Sequence, residues 1–257
     1  MTPGELFRYD VRGYMVLKNA IEPAYLTLLN EHLDRWEEKA FEAYKALPEE
    51  TNKDVRYNDI LNQEPALLEL AANEKLIPYL VEMIERPRLK STWLTFRWKG
   101  GRTGYHSNHT PSVTHDLYHF NGQIRHNLMN VMYAMREIGP GAGGLHVMPG
   151  SHKANYAIPE NEDIADLLVE ITMDAGDALL FSHDMGHCSL NQSDQVRRIV
   201  MMTYCPGVIA NSYGGDTLYD TLFEAAPAES WLKYLLRRPH GFLETYPQPQ
   251  NESLSSL

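Results

Sequence analysis

The sequence predicts a mainly β fold, an antiparallel barrel or jelly roll, with α-helices before and after it in the chain. Three observations predict this class. Hydrophobic residues recur at helical spacing before residue 89 and again after residue 215. Between these points the period changes to two, and the apolar runs are short. Turns rich in Gly, Pro, Asn and Asp separate the runs without helical crossovers, which favours antiparallel strands over a doubly wound sheet.

The helical segments are predicted from their apolar faces. The first helix begins at about Pro23 and carries large apolar residues as far as Tyr44, with acidic residues on its other faces. A second helical region spans residues 64–84 and is interrupted before Pro78, because proline removes a backbone donor. Closing helices are expected within residues 217–238, and all these helices are expected to brace the sheet.

The strands are predicted from alternating or β-branched runs that end at turn residues. The first of them ends at Gly100-Gly101, a strong strand terminator. The predicted strands are Lys90 to Trp98, Ile124 to Met135, Leu145 to Met148, Leu168 to Met173, Ala178 to Phe181 and Arg198 to Tyr204.

The length of 257 residues allows one large domain. We expect a single domain over residues 1–257, with a helical brace at about 20–86, a β core at about 89–206 and a C-terminal helical region at 215–240.

The net charge of -11 and the pI near 5.4 argue against nucleic acid and against an anionic membrane surface as partners. No apolar run of about 18 residues and no signal peptide is found, and the two cysteines form no disulfide framework. These features predict a cytoplasmic protein with a small-molecule partner. They do not indicate an oligomeric state.

A histidine-rich segment lies between predicted strands. Four histidines fall within residues 106–119, a composition typical of metal sites. Zinc and iron both use histidine, so this segment alone does not select the metal. Octahedral iron held by two histidines and one carboxylate keeps three positions open for an oxyacid and dioxygen, whereas zinc usually stays four-coordinate.

A second stretch, from Gly176 to Asn191, favours iron. It predicts a turn, a short apolar strand and a loop that ends on His187, and a strand opening with arginine follows about ten residues later. An imidazole nitrogen can bind a divalent metal, and a guanidinium can hold a carboxylate through two hydrogen bonds. The order therefore predicts an iron site that uses 2-oxoglutarate.

Three motifs resemble those of the phytanoyl-CoA dioxygenase family of iron and 2-oxoglutarate oxygenases. They are Leu145-His146-Val147-Met148-Pro149-Gly150-Ser151-His152-Lys153, Gly176-Asp177 with Leu179-Leu180-Phe181, and His187-Cys188-Ser189 with Asn191 and Arg197-Arg198. The resemblance covers about residues 89–206. It implies a double-stranded β-helix, a cupin-like jelly roll, with Fe(II), 2-oxoglutarate and dioxygen as reactants. It also implies succinate and carbon dioxide as coproducts of the hydroxylation of an unactivated C–H bond.

The resemblance also implies roles for single residues. His187 matches the distal histidine ligand of the family, and Ser189 matches a position that can bind the far carboxylate of 2-oxoglutarate. Counting from His187 favours Arg198 as the anchor of that carboxylate, whereas alignment through Asn191 favours Arg197. Only one of the two can point into the barrel, since side chains alternate along a strand. We favour Arg197.

The first ligand pair departs from the family pattern of His, any residue, then Asp. This chain has His106-Ser107-Asn108 at that place. Asp116 supplies the carboxylate in one interpretation, and Asn108 or a water takes the third position in another. In a third, the enzyme is a halogenase with a halide in the vacant position, although Asn fills space that Gly or Ala would leave open.

Substrate contacts are predicted at Tyr118, His119, His109 and Tyr133. Two other classes of function stay open from the residues alone. One is a non-catalytic jelly-roll module that binds a small ligand, and the other is a zinc hydrolase built on the same histidines.

Overall fold

The computed structural model describes residues 1–48, 51–84, 86–107, 117–120, 123–154, 156, 164–210, 215–240 and 248–249, and only the backbone of residues 117–120 and 123–125. No helix among these residues is long and apolar enough to cross a membrane. The helices are α1 (Pro3–Arg12), α2 (Pro23–Lys45), α3 (Ile60–Gln63), α4 (Leu68–Ala71), α5 (Ile77–Met83), α6 (Asp220–Ala225) and α7 (Trp231–Leu236).

Antiparallel strands form the centre of the molecule, as predicted. The strands are β1 (Tyr14–Leu17), β2 (Asp54–Asn58), β3 (Pro87–Arg97), β4 (Arg102–His106), β5 (Leu117–Phe120), β6 (Gln123–His126), β7 (Met129–Ala134), β8 (Ala142–Val147), β9 (Val169–Glu170), β10 (Ala178–Ser182), β11 (His187–Asn191) and β12 (Arg197–Pro206).

The described strands make two facing sheets and a hairpin. One sheet has the order β1-β10-β7-β12-β3-β2, the second has the order β4-β11-β8-β9, and β5 pairs with β6. The mainly β fold with a jelly-roll core and flanking helices is therefore confirmed. One apolar core lies between the two sheets, and a larger one lies between the six-stranded sheet and the helices.

Side-chain alternation separates the two faces of the six-stranded sheet. On β12, Ile199 and Met201 belong to the core between the sheets, whereas Val200 and Met202 belong to the helical side. We call the first face the inner face and the second the helical face. Whether a residue stands at an odd or an even position of β12 therefore decides whether its side chain can reach a site between the sheets.

Helix α1 and strand β1 were not among the predicted elements. The signals for α1 are present, because Thr2 and Glu5 form a capping box around Pro3 at the first helical position. The helix ends at Gly13, whose φ of 80° is the left-handed conformation that glycine tolerates best. Strand β11 was also missed, since its five residues have only one large apolar side chain.

Candidate active site

His106 and His187 meet between neighbouring strands. They are paired residues of β4 and β11, and their ring centroids are 4.2 Å apart at an angle of 54°. Residues that pair directly on adjacent strands project to the same side of the sheet. The structure thus brings together two histidines that are 81 positions apart in the sequence.

Both imidazole rings are held in the same manner. Nδ1 of His106 donates to the carbonyl of Gly104 at 2.9 Å, and Nδ1 of His187 donates to the carbonyl of Met185 at 2.7 Å. These bonds fix the proton on Nδ1, so the lone pair of each ring lies on Nε2. Burial, followed by the nearby His106, lowers the pKa of His187 to about 4. His187 is therefore neutral near pH 7, which is the form that binds a metal.

The loop before His187 is held by the Pro149-Gly150-Ser151-His152-Lys153 motif. The Ser151 hydroxyl donates to the carbonyl of Met148 at 2.7 Å and accepts from the backbone N–H of Gly186 at 2.8 Å. The imidazole Nε2 of His152 donates to the carbonyl of Asp10 on α1 at 3.1 Å. The motif thus forms a turn that ties helix α1 to the loop before His187.

His152 gives the fold a dependence on pH. Its side chain is completely buried, and burial, followed by the charge of Lys153, lowers its pKa to about 4. The unfolded chain binds a proton near pH 6.5, so stability is complete above that pH and falls as the pH drops toward 4. We expect this group to remove about 3 kcal/mol of the free energy of unfolding over that interval. Urea unfolding of wild type and of His152→Leu between pH 4 and 7 measures this loss. If the free energy of unfolding changed equally with pH in both proteins, His152 would not be the group responsible.

The third position of a metal site is not found within the described part of the chain. No group of three His, Cys, Asp or Glu side chains suited to a metal occurs there. Asn108, Asp116 and His109 lie outside the described residues. Tyr118 and His119 are described as backbone of β5 only, in pairs with Arg125 and Ile124.

Arg197 lies on the inner face and is 5% exposed. Its Nη1 donates to the carbonyl of Gly143 at 2.7 Å, and its buried Nε has no hydrogen-bond partner among the described residues. Burial, followed by the charge of Arg97, lowers the pKa of Arg197 to about 9. Burying a guanidinium that has an unpaired hydrogen-bond donor costs free energy unless an anion accepts a hydrogen bond from it.

Arg97 was not identified from the sequence. It pairs with Arg197 across β3 and β12 and is itself buried. Nε and Nη2 of Arg97 donate to the carboxylate of Asp54 at 2.5 and 2.6 Å, Nη2 also donates to Thr103 at 2.6 Å, and Nη1 donates to Ser189. The only sequence signal was an arginine near the end of a predicted strand rich in Thr, Trp, Phe and Leu.

The charges at this point suit a carboxylate ligand. Two buried guanidinium groups, Arg97 and Arg197, face one carboxylate, Asp54, so one positive charge has no counter-ion among these three groups. Ser189 lies beside Arg97 and follows His187 by two residues, about 7 Å along a strand. One carboxylate of a short diacid at Arg197 would therefore leave its other end near the two histidines, which fits 2-oxoglutarate.

Gly143 makes the space that Arg197 occupies. Its φ is 84°, and a Cβ there would lie 3.1 Å from Cβ of Asn191 and 3.2 Å from Cδ of Arg197. We expect Gly143→Ala to lower the free energy of unfolding by about 1–2 kcal/mol through the left-handed backbone alone. It should also weaken 2-oxoglutarate binding, because Arg197 is displaced. Calorimetric titration and urea unfolding test this, with Gly139→Ala as control because a Cβ there meets only a contact at 3.8 Å.

Two predicted site residues are not brought to the inner face. Arg198 is buried on the helical face, where it donates to Asn30 at 2.9 Å, to Asp34 at 2.6 Å and to Glu37 at 3.0 Å, all on α2. Tyr133 also lies on that face and donates its hydroxyl to the carbonyl of Leu70 at 2.8 Å. The predictions that Arg198 binds a co-substrate and that Tyr133 contacts substrate do not fit these positions. Both side chains point to the helical face, away from the space between the sheets.

A family model described as Phytanoyl-CoA dioxygenase (PhyH) matches residues 9–199, nearly three quarters of the chain. No curated protein matches the sequence at a significant level.

Several solved structures share the fold. HygX from Streptomyces hygroscopicus, solved with nickel, 2-oxoglutarate and hygromycin B bound, is 18% identical with a TM-score of 0.67 over 80% of this chain and 88% of that chain. SnoK, a non-heme alpha ketoglutarate dependent carbocyclase from nogalamycin biosynthesis, is 18% identical with a TM-score of 0.63 over 88% and 92%. The epimerase SnoN, in complex with Fe3+, alpha ketoglutarate and nogalamycin RO, is 14% identical with a TM-score of 0.58 over 82% and 87%.

Proposed function

Because this chain belongs to the phytanoyl-CoA dioxygenase family, and is thus an iron- and 2-oxoglutarate-dependent oxygenase, we propose that it hydroxylates an unactivated C–H bond of a small molecule. The observation that carries the proposal is the pairing of His106 with His187, both with Nδ1 bound to a carbonyl so that Nε2 can bind a metal, together with the unpaired Nε of the buried Arg197. We further propose that residues 1–257 act as one oxygenase domain.

His106 and His187 would hold Fe(II) through their Nε2 atoms. The third protein position belongs to Asn108 or Asp116 in this proposal, as the sequence suggests. The bound iron, with 2-oxoglutarate and dioxygen, supplies the oxidation, yielding succinate and carbon dioxide as coproducts. The chain supplies fixed ring orientation, since each Nδ1 is tied to a backbone carbonyl two residues earlier in the chain.

Arg197 would bind the far carboxylate of 2-oxoglutarate through Nε, with Ser189 and Arg97 beside it. Arg97 is already held by Asp54, so it keeps Ser189 in place and contributes charge without moving. The proposed anchor is therefore preorganised, which reduces the entropic cost of binding.

The substrate is proposed to be a small molecule that meets Tyr118, His119 and His109. HygX was solved with hygromycin B and SnoN with nogalamycin RO, which supports a small-molecule substrate. The solved neighbours include a carbocyclase and an epimerase, so the same fold also serves outcomes other than hydroxylation.

Anaerobic titration of the metal-free protein with Fe(II) and then 2-oxoglutarate tests the proposal. We expect a weak visible charge-transfer band that requires both additions, and succinate formation once oxygen is admitted. Zn(II) in place of Fe(II) is the control and should give no band. Tight zinc retention with no iron band would instead support a zinc hydrolase, and binding of neither metal would support a non-catalytic module. Product analysis by mass spectrometry separates hydroxylation from halogenation and from rearrangement.

A further inference from the structure

A row of inner-face residues crosses the six-stranded sheet away from the arginines. Strand register aligns Phe181 with Asn130 and Asn130 with Thr203, and Thr203 pairs with Ser91 at the other side. Tyr14 of β1 completes the row opposite Phe181. The row contains aromatic, amide and hydroxyl side chains and no charged group.

The position of this row relative to the histidines is set by strand geometry. Thr203 follows Arg197 by six residues on β12, which corresponds to about 20 Å along a strand. That distance is several times the length of a five-carbon diacid. Phe181, the neighbour of Asn130, packs its ring edge against His187 with centroids 5.3 Å apart. Asn130 is thus the sheet neighbour of a residue that contacts His187, and Thr203 lies about 20 Å along β12 from the proposed 2-oxoglutarate anchor.

Asn130 and Thr203 form a buried polar pair. Each is 4% exposed, and the Thr203 hydroxyl donates to Oδ1 of Asn130 at 2.8 Å. Within the described residues, the Asn130 side chain makes no other hydrogen bond, so its Nδ2 group keeps its donors. The Thr203 oxygen keeps acceptor capacity.

The pair offers a donor and an acceptor side by side. An alcohol satisfies both, because its oxygen can accept from Nδ2 and its hydrogen can be donated to Thr203. An ammonium group cannot accept, and a carboxylate cannot donate. Neither charge has a counter-ion in the row, so burial there would be costly.

We propose that Asn130 and Thr203 bind a hydroxyl group of the substrate, and that the substrate class is an uncharged alcohol. This inference rests on the proposed function, since it takes the part of the inner face beside His187 and away from Arg197 as the substrate side. It assigns to the pair a binding role that is separate from metal and from 2-oxoglutarate.

Paramagnetic line broadening in NMR spectra tests the proposal with three matched probes. Cyclohexanol, cyclohexylamine and cyclohexanecarboxylate are each added to protein loaded with Co(II) and 2-oxoglutarate. We expect cyclohexanol to be broadened most, and Asn130→Leu to weaken its binding about fivefold or more, as expected for one lost buried hydrogen bond. Thr203→Val, which keeps the shape of the side chain, should weaken it in the same direction. Asn130→Asp should shift the preference toward cyclohexylamine.

The controls separate this proposal from the proposed function. The affinity for 2-oxoglutarate should stay within about twofold in all three variants, since Arg197 is about 20 Å away along the strand. Absence of 2-oxoglutarate binding in wild type would overturn the proposed function. Normal 2-oxoglutarate binding with no cyclohexanol broadening would overturn only the inference, as would broadening unchanged in both Asn130→Leu and Thr203→Val. Stronger broadening of either charged probe in wild type would also overturn it.

Discussion

Replacing His187 with alanine is expected to abolish both metal binding and turnover. The substitution removes one of two converging nitrogens, and among the described residues no third histidine, cysteine or carboxylate joins the pair. Loss of a group that merely orients a ligand costs about 10- to 100-fold in metal affinity, so loss of the ligand itself should exceed 100-fold. Anaerobic Co(II) titration and 2-oxoglutarate-dependent succinate formation measure the two effects.

His146→Ala is the matched control for His187→Ala. His146 lies on the neighbouring strand β8 and pairs with Cys188, so it projects from the other face of the four-stranded sheet. It should keep the wild-type metal affinity. Circular dichroism of both variants verifies folding. A His187→Ala protein that binds Co(II) within tenfold of wild type would refute the role given to this residue.

Replacing Arg197 with alanine is expected to remove most of the affinity for 2-oxoglutarate. Removing one partner of a buried charged pair costs about 2–5 kcal/mol of binding free energy. The dissociation constant for 2-oxoglutarate should therefore rise by a factor of roughly 30 to several thousand. Metal affinity should change little, because neither histidine contacts Arg197. Titration of the Fe(II) protein with 2-oxoglutarate, followed by the charge-transfer band, gives the constant directly.

Arg198→Ala provides the opposite pattern. Arg198 joins β12 to α2 through Asp34 and Glu37, so its loss should lower the free energy of unfolding and leave 2-oxoglutarate affinity near wild type. Asp34 is 62% exposed and Glu37 is 22% exposed, so the loss of stability should be smaller than the roughly 3–5 kcal/mol typical of a pair buried on both sides. If Arg198→Ala lost 2-oxoglutarate binding and Arg197→Ala kept it, the assignment of the anchor would be reversed.

The fold class could be predicted because it depends on local patterns. The helix from Pro23 and strands such as Ala178–Ser182 are visible as periodic runs of apolar residues. Elements with weak patterns were missed: β1 has four residues, and β11 is mostly polar. The β9 strand is only two residues long where a six-residue strand was predicted.

The candidate site was predictable only where one residue carries the signal. His187 stands out after a turn and an apolar strand, and it does meet His106. Arg97 does not stand out, because its importance comes from Asp54 and Ser189, which are 43 and 92 positions away. Tyr133 was predicted to contact substrate but lies on the helical face, because the sequence did not fix where its strand starts and therefore which way its side chain points.

The pairing of β4 with β11 has a consequence for how the protein withstands heat. Among the described strands, β4 lies at the edge of its sheet, and His106 is its last residue. A metal ion bound by both His106 and His187 would link β4 to β11. Occupancy at 100 times the dissociation constant adds about 2.7 kcal/mol to the folded state. The melting temperature would then report the fraction of a purified sample that has metal bound.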